Sequence, residues 1–305
     1  MMPEQRSVLV TGASGFVGSH LARSLVAAGL EVHVLTRPDS DLSVLQPQLD
    51  RIKTHPHDGS AAQMVSILGS VRPDCVYHLA THFLSAHNAG DIDDLINANV
   101  LFGAQLLEAM DAAGVRRLVN AATTWQHYHD RDYEPVNLYA ATKQAFEDLL
   151  KYYTSARGLH ALTLELSDTY GPHDRRKKLF AALHKAAEGK EKLSMSPGEQ
   201  LLDLLYIDDV TRAFMHAGEL LFLDDKAGFE KYQLSAAKRV SLKELVSSYE
   251  TVSGKKIQVD WGGRPYRERE VMNPWNQGKI LPGWKPEINL EEGIKRILAQ
   301  KQVAD

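Results

Sequence analysis

A glycine-rich turn between a strand and a helix constrains this chain more than any other feature. Residues 8–20 read VLVTGASGFVGSH, with Gly12, Gly15 and Gly18 directly after a β-branched run and at the start of a helical pattern. Glycines let the backbone turn tightly and approach a pyrophosphate, while free N–H groups and the dipole of the helix N-terminus favour the anion. We therefore predict a dinucleotide phosphate loop rather than a structural turn without a ligand. Its predicted contacts are Gly12, Ser14, Gly15, Phe16, Val17 and Gly18.

The first half of the chain alternates short apolar strands with helical periods. This repetition is typical of a parallel sheet covered by helices on both faces, so we predict a Rossmann-type doubly wound α/β fold. We place the nucleotide-binding domain at residues 1–168, with a return segment near 203–235, and a smaller α+β domain, mainly substrate-binding, at 169–305. The predicted strands are 7–11, 31–36, 51–57 (the weakest), 74–80, 116–122 and 161–167, and the predicted helices are 15–28, 60–70, 91–113, 138–157 and a tail capped by Asn289.

Composition and charge exclude some classes of function. The 305 residues carry a formal net charge of −4, which gives no reason to expect nucleic acid as a partner. No apolar run approaches the ~18 residues that span a bilayer, and no signal peptide is apparent, so we expect no membrane partner and a cytoplasmic location. The one cysteine, Cys75, lies in an apolar run and is expected to be a core residue in a reducing compartment.

The end of the second predicted strand bears on which dinucleotide binds. NAD-binding sheets usually place a carboxylate there for the ribose 2′-OH, whereas this chain has Thr36 and Arg37. A hydroxyl and a guanidinium accommodate a 2′-phosphate that a carboxylate would repel, so we favour NADP over NAD; the alternative is that Arg37 lies in a solvated loop. Asp58 is placed to accept a hydrogen bond from the adenine amine. The remaining predicted cofactor contacts are Gly59, Leu79, Ala80, Thr81, Asn99, Ala121, Tyr139 and Lys143.

The helical segment 138–157 carries Tyr139 and Lys143 one turn apart, so their side chains share a helix face. By itself this spacing is common. With TGASGFVG, DCVYHLAT, NANVLFGAQLLEA, YAATK, DTYGP, YIDDV and GWKPEINLEEGI in that order, the chain resembles the extended short-chain dehydrogenase/reductases, a family rich in enzymes of nucleotide-linked sugars. TTWQHY, LYAATKQAFE, DTYGPHDRRKKL and PYREREVM resemble its branch of CDP-abequose and CDP-paratose synthases, which are 4-ketoreductases of CDP-linked deoxysugars.

The resemblance assigns catalytic roles. It implies that Tyr139 transfers a proton, and that Lys143 holds the nicotinamide ribose and lowers the pKa of the phenol toward the working pH. It also implies a hydroxyl just past the fifth strand that hydrogen bonds to the substrate oxygen. That hydroxyl is expected to be Thr123, with Thr124 as the alternative, and Asn99 is expected to support the network.

The resemblance further implies a nucleotide-diphosphate sugar as the substrate. Relatives that dehydrate sugars usually carry carboxylates directly after the catalytic Thr, where this chain has Thr124, Trp125 and Gln126. Thr36 and Arg37 are unlike the acidic residue of 4-epimerases, which keep NAD bound, and suit a reductase that exchanges NADPH. We therefore expect NADPH-dependent reduction of a sugar C4 ketone, with a 4-epimerase or a catalytically silent NADP-binding regulator as alternatives.

Two cationic clusters, HDRRKK and GRPYRERE, are candidates to bind the diphosphate, and a solvated charged loop is the alternative for each residue. Asp168 and Leu202 depart from the family pattern, because many relatives have Asn and Arg at these positions. The predicted substrate contacts are His82, Phe83, Thr123, Thr124, Trp125, Gln126, Asp168, Arg175, Arg176, Lys177, Lys178, Arg264 and Arg267, with Arg269 in the second cluster.

Two histidine clusters raise the question of a metal. They are QHYHD, with His127 and His129, and HPHD. Both look like loop sequence rather than a held scaffold, and hydride transfer needs no metal, so we expect none.

The quaternary structure expected from the resemblance is a homodimer. Helices 91–113 and 138–157 of each subunit would pack into a four-helix bundle. QLLEAM and AFEDLLKYY supply apolar faces for that packing.

Overall fold

The computed structural model describes residues 6–176, 178–189, 192–223 and 227–304. The described strands, in chain order, are β1 (Ser7–Thr11), β2 (Glu31–Thr36), β3 (Ile52–Pro56), β4 (Cys75–His78), β5 (Arg117–Thr123), β6 (His160–Leu166), β7 (Asp168–Tyr170), β8 (Leu193–Met195), β9 (Leu201–Leu202), β10 (Leu204–Tyr206), β11 (Gly228–Leu234), β12 (Val240–Ser241) and β13 (Val259–Trp261). The α-helices are α1 (Phe16–Ala27), α2 (Ala61–Val71), α3 (Ile92–Ile96), α4 (Phe102–Ala113), α5 (Leu138–Arg157), α6 (Leu179–Ala187), α7 (Ile207–Leu223), α8 (Leu242–Ser253) and α9 (Leu290–Ala304). Within those described ranges, no helix is both long and apolar enough to cross a bilayer.

The main sheet has seven strands in the order β11-β6-β5-β4-β1-β2-β3, and every pairing in it is parallel. This arrangement confirms the predicted doubly wound Rossmann-type fold. Strand side chains alternate between the two faces: Val8 and Val10 pack into one apolar layer, and Leu9 packs into the other. Residues of α1 and α7 complete the first layer, and residues of α2, α4 and α5 complete the second.

The predicted helix 91–113 is interrupted. The chain passes from α3 through a π-helical stretch, Asn97–Leu101, before α4 begins. A π-turn rotates the residues that follow relative to an ideal α-helix, and such turns are frequent at functional sites. Here the π-helical stretch contains Asn99, which bonds to residues that directly follow β4.

The part of the chain after β6 has an apolar core of its own. Leu183, Leu245, Tyr249 and Ile294 are fully buried together, and they join α6, α8 and α9. Three two-stranded sheets lie in this part: β7 with β10, β8 with β13, and β9 with β12. The chain returns to the main sheet through α7 and β11, which pairs with β6.

Candidate active site

Two cavities meet near the carboxyl ends of the central strands, which is where ligands bind in open α/β sheets. The first, about 1030 Å³, contains the glycine turn and the ends of β2, β4 and β5. The second, about 880 Å³, lies between β7, α6 and the segment 267–275. The residues that line both cavities, and so mark their junction, are Phe83, Trp125, Ser167, Asp168, Thr169, Arg176 and Lys178.

The glycine turn has the geometry that a phosphate loop needs. Gly12 has a φ of +74°, and a Cβ there would lie 2.6 Å from the backbone nitrogen of Ala80. A Cβ on Gly18 would lie 2.2 Å from the carbonyl oxygen of Gly12. Gly15 caps α1 without a side-chain hydrogen bond, so first-turn N–H groups are available to an anion. All six predicted loop contacts line the first cavity: Gly12, Ser14, Gly15, Phe16, Val17 and Gly18.

The loop after β2 forms one end of the first cavity. Thr36 is buried, whereas the side chain of Arg37 is 81% exposed and pairs with Asp39 at 3.6 Å. The backbone N–H of Arg37 donates to the Ser40 hydroxyl at 3.0 Å. Sequence reasoning missed Asp39 and Ser40, because nothing in the pattern fixes how this loop turns. Of the other predicted cofactor contacts, Asp58, Gly59, Leu79, Ala80, Thr81 and Ala121 line the same cavity.

Tyr139 and Lys143 lie side by side on the first turns of α5, and both are buried in the wall of the first cavity. Burial raises the pKa of Tyr139 to about 12, and a hydrogen bond with Thr81 opposes this rise. Burial lowers the pKa of Lys143 to about 8, and the charge of Glu147 opposes this fall. Loss of hydration is the largest influence on the phenol pKa in this cavity, and the expected lowering of that pKa by Lys143 stays a prediction. At neutral pH the phenol is protonated.

The two candidate hydroxyls after β5 face different cavities. Thr123 lines the first cavity, with Tyr139 and Lys143, and its oxygen accepts a hydrogen bond from the Trp125 N–H at 3.3 Å. Thr124 lines the second cavity. Thr123 is thus the hydroxyl that shares a cavity with the phenol.

Asn99 lies behind the cavity wall rather than in it. Its Oδ1 accepts from the Thr81 hydroxyl at 2.9 Å and from the His82 N–H at 2.7 Å. Its amide donates to the His82 carbonyl and to the Thr142 hydroxyl, both at 2.9 Å. The π-turn places this side chain between β4 and α5, so Asn99 supports the segment that carries Thr81 and the helix that carries Tyr139.

Aromatic side chains and cations surround the junction of the two cavities. The ring of Phe83 meets the edge of Tyr139 at 4.9 Å and lies 5.7 Å from Trp125. The Lys178 ammonium lies 5.0 Å above Phe83, and the Arg267 guanidinium lies 5.7 Å above Trp125. These contacts combine an apolar wall beside the phenol with positive charge at its rim.

Asp168 is the carboxylate at that junction. Burial raises its pKa, and the charges of Lys178, Arg267 and Arg176 oppose the rise. Arg176 also pairs with Asp174 at 2.7 Å. Arg267 likewise pairs with Glu270 at 3.6 Å, so an anionic ligand at the junction would compete with carboxylates for both guanidiniums.

Other predicted substrate residues lie away from the junction. Gln126 is fully buried, and its amide donates to Glu147 at 3.0 Å, which corrects its predicted role as a substrate contact. Arg264 is exposed and lies outside both cavities as the described residues define them, a second correction. Arg175 lines the second cavity but pairs with Asp41 at 2.8 Å. His82 lines the first cavity, and Lys177 lies outside the described residues.

Sequence reasoning did not identify a charged cluster behind β5, made of Glu147, Glu165, Lys231 and His127, which we call the buried charge cluster. Lys231 lies 3.0 Å from Glu165 and 3.4 Å from Glu147. His127 Nε2 lies 2.5 Å from Glu165 Oε1, and its ring stacks on Trp275 at 4.4 Å. The available signal was that Glu147 follows Tyr139 and Lys143 at helical spacing. His127 belongs to one of the two histidine clusters considered for a metal. Its ring nitrogens instead contact protein groups, the Arg131 carbonyl and the Glu165 carboxylate. Across the residues described, no three His, Cys, Asp or Glu side chains form a metal-binding group.

Comparison with known proteins shows which family the chain belongs to. The pattern that defines the NAD dependent epimerase/dehydratase family matches residues 8–226. CDP-abequose synthase of Salmonella muenchen is 25% identical over 99% of this chain and 100% of its own. UDP-glucose 4-epimerase of Mycolicibacterium smegmatis is 25% identical over 94% of this chain and 96% of its own. A Stenotrophomonas maltophila UDP-glucose-4-epimerase, solved with NAD and formylated UDP-arabinopyranose, superimposes with a TM-score of 0.86 at 20% identity, covering 98% of this chain and 99% of its own.

Proposed function

Because the chain belongs to the NAD dependent epimerase/dehydratase family, the extended short-chain dehydrogenases/reductases, we propose that it reduces the C4 ketone of a nucleotide-linked 4-keto-deoxysugar with NADPH. One observation carries the proposal. Tyr139, Lys143 and Thr123 line the cavity of the glycine turn, and Tyr139 contacts Phe83 at the junction with the second cavity. A cofactor in the first cavity and an anionic sugar nucleotide in the second would bring their reactive carbons together beside the phenol.

The residues present fit a dinucleotide. A Cβ would close the turn at Gly12 and Gly18, and the first turn of α1 offers N–H groups to a pyrophosphate. A bound nicotinamide would supply a hydride to the ketone carbon. Tyr139 protonates the oxygen on which negative charge develops, since its phenol keeps its proton at neutral pH.

Two further groups stabilise that charge. Thr123 hydrogen bonds to the same oxygen, an interaction that strengthens as charge develops. Lys143 binds the ribose and supplies a cation near the phenolate that forms, so its ammonium favours the transition state. Because burial lowers the pKa of Lys143 to about 8, this help is present at neutral pH and declines above that value.

The aromatic wall supports a deoxysugar. Phe83 packs against the phenol ring and Trp125 packs against Phe83, so a hydroxylated carbon beside them would lose hydrogen bonds to water without replacing them. A methyl or methylene group packs there without that cost. Lys178, Arg176 and Arg267 line the rim, where a diphosphate would bind Lys178 and compete with Asp174 and Glu270 for the two guanidiniums.

The residues of the loop after β2 are the reason for proposing NADPH rather than NADH as the cofactor. Thr36 and Arg37 replace the carboxylate that would repel a 2′-phosphate, and the Ser40 hydroxyl lies beside them. The ion pair of Arg37 with Asp39 opposes this preference, because a phosphate must compete for the same guanidinium.

An NDP-sugar 4-epimerase is the second candidate. Asp39 in the first cavity favours it, since a carboxylate at this end can accept from a ribose 2′-OH. The two candidates differ in stoichiometry, because an epimerase consumes no external NADPH.

The deciding experiment offers CDP-, dTDP-, GDP- and UDP-linked 4-keto-deoxysugars with NADPH and with NADH, and identifies the C4 configuration of the product. We expect one NADPH oxidised per sugar reduced. Interconversion of the matching 4-hydroxy sugars without net NADPH oxidation would replace the reductase by the epimerase. NADP binding without turnover of any of these sugars would indicate a silent regulator.

We also propose a homodimer through α4 and α5. Ile92 and Ile96 are exposed on α3, which precedes α4 within the predicted helix 91–113, and Tyr152 is exposed on α5. These side chains would be buried by a second copy. Sedimentation as a monomer at micromolar concentration would exclude this arrangement.

A further inference from the structure

Glu147 connects the two halves of the proposed catalytic machinery. It lies one helical turn after Lys143 on α5, is fully buried, and accepts a hydrogen bond from the Gln126 amide at 3.0 Å. The other end of that amide, Gln126 Oε1, accepts from the backbone N–H of Thr123 at 3.3 Å. The carboxylate of Glu147 therefore reaches the strand end that presents the Thr123 hydroxyl and the helix that presents Lys143.

We propose that Glu147 is a positioning residue for ketone reduction: through Gln126 it holds the end of β5 that presents Thr123, and from the next turn of α5 its carboxylate shares the helix face of Lys143. The inference rests on the proposed function for its kinetic readout. Neither Glu147 nor Gln126 contacts the cavities, so both act through Thr123 and Lys143.

Glu147 lies in the buried charge cluster, where burial raises its pKa. The charge of Lys231, 3.4 Å from Oε2, and the hydrogen bond from the Gln126 amide oppose that rise. Glu165 pairs with the same ammonium at 3.0 Å and bonds to His127. A buried carboxylate that is paired and hydrogen bonded avoids the cost of an unpaired ion.

Glu147 is the carboxylate whose charge acts on Lys143, and it also pairs with Lys231 at 3.4 Å. On α5, Lys143 shares a helix face with Tyr139, which is neutral. On β4, burial and the charge of Lys143 lower the pKa of His78 to about 3, so this ring is neutral. Glu165, on β6, pairs with the same Lys231 ammonium at 3.0 Å.

The test removes charge and hydrogen bond separately. Glu147→Gln keeps an oxygen for Gln126 but loses the charge, so the alkaline limb of kcat/KM should move to lower pH by about one unit, the low end for a close opposite charge. The pH above which NADPH binding weakens should move with it. Gln126→Met keeps the charge and loses the bond to Thr123, so kcat should fall by up to about 10²-fold with the wild-type limb retained. Glu230 is an exposed carboxylate on β11, and Glu230→Gln is the matched control. It should change neither the alkaline limb of kcat/KM nor kcat.

Outcomes separate this inference from the proposed function. If the wild-type protein reduces no keto-sugar, the proposed function fails, and the pH dependence of NADPH binding still tests Glu147. Coincident limbs for wild type and Glu147→Gln, in folded protein with an unchanged melting curve, would overturn the inference. If Glu147→Gln does not fold, Glu147→Asp is the second variant, because it keeps the negative charge but is too short to reach the Gln126 amide in the same way. A lowered kcat with the alkaline limb of the wild type would support the positioning role. A wild-type kcat would refute it.

Discussion

Three alanine substitutions separate backbone strain from steric overlap in the proposed phosphate loop. Gly29 has a φ of +85° and nothing within 4 Å of an added Cβ, so it reports the backbone cost alone. Gly18 has no such φ, but its Cβ would lie 2.2 Å from the Gly12 carbonyl oxygen, so it reports overlap alone. Gly12 combines a φ of +74° with a Cβ 2.6 Å from the Ala80 backbone nitrogen.

The expected losses of unfolding free energy follow from these distances. For Gly29→Ala, a left-handed residue costs roughly 1–2 kcal/mol, and reduced freedom of the unfolded chain returns part of it, leaving about 1 kcal/mol. For Gly18→Ala, overlap with backbone that cannot swing aside costs about 3 kcal/mol, and the helix propensity of alanine returns about 1, leaving about 2 kcal/mol. Gly12→Ala carries both costs, about 4 kcal/mol.

Urea unfolding of the three variants measures these losses of stability. Titration with NADPH, followed by its fluorescence, measures how tightly the loop of each variant binds the cofactor. Gly29→Ala should bind NADPH as the wild type does, whereas Gly18→Ala and Gly12→Ala should bind it weakly, because the displaced backbone carries the N–H groups. If Gly18→Ala proved no less stable than Gly29→Ala and bound NADPH normally, the close approach in the loop would be refuted.

Two further predictions concern the cofactor end and the buried histidine. Arg37→Glu should lower kcat/KM for NADPH more than for NADH, since a carboxylate repels the 2′-phosphate. Asp39→Asn frees the Arg37 guanidinium and should raise the ratio of kcat/KM for NADPH to that for NADH. An unchanged ratio in both variants would show that this loop does not select the cofactor. The pKa of His78 is about 3 when folded and 6.5 when unfolded, so only the unfolded chain binds this proton between those values, and stability should fall by up to about 1.4 kcal/mol per pH unit as pH drops through that window. Urea unfolding from pH 7 to pH 4 should show a shallower fall for His78→Asn, whose amide can still bond to Thr11, and parallel curves would contradict the buried neutral ring.

The sheet and the principal helices could be predicted from the sequence because apolar periodicity and glycine caps are local signals. The helix predicted at 138–157 is α5 without change, and β5 differs from its predicted span by one residue at each end. Gly114 and Gly158 end α4 and α5 in the left-handed conformation that favours glycine. The glycine turn was equally local, so its predicted contact residues could be identified one by one, and all of them line the first cavity.

Features that depend on contacts between distant segments could not be predicted. The π-turn at Asn99 inserts no recognisable signal into the helical pattern, although its hydrogen bonds to His82 and Thr142 depend on it. Gln126 looked like a residue of the sugar pocket because it follows Thr123 closely. A 3₁₀ turn directs its side chain inward, to a carboxylate on another element, and no sequence pattern specifies that partner.

Tyr139→Phe in the NADPH oxidation assay tests the central claim most directly. The substitution removes one oxygen and leaves the ring that Phe83 contacts, so NADPH should bind as before. Loss of the proton donor should lower kcat for 4-keto-sugar reduction by about 10²–10⁴-fold. Turnover within a few-fold of the wild-type rate would show that this phenol is not the proton donor, and the mechanism proposed for this site would be contradicted.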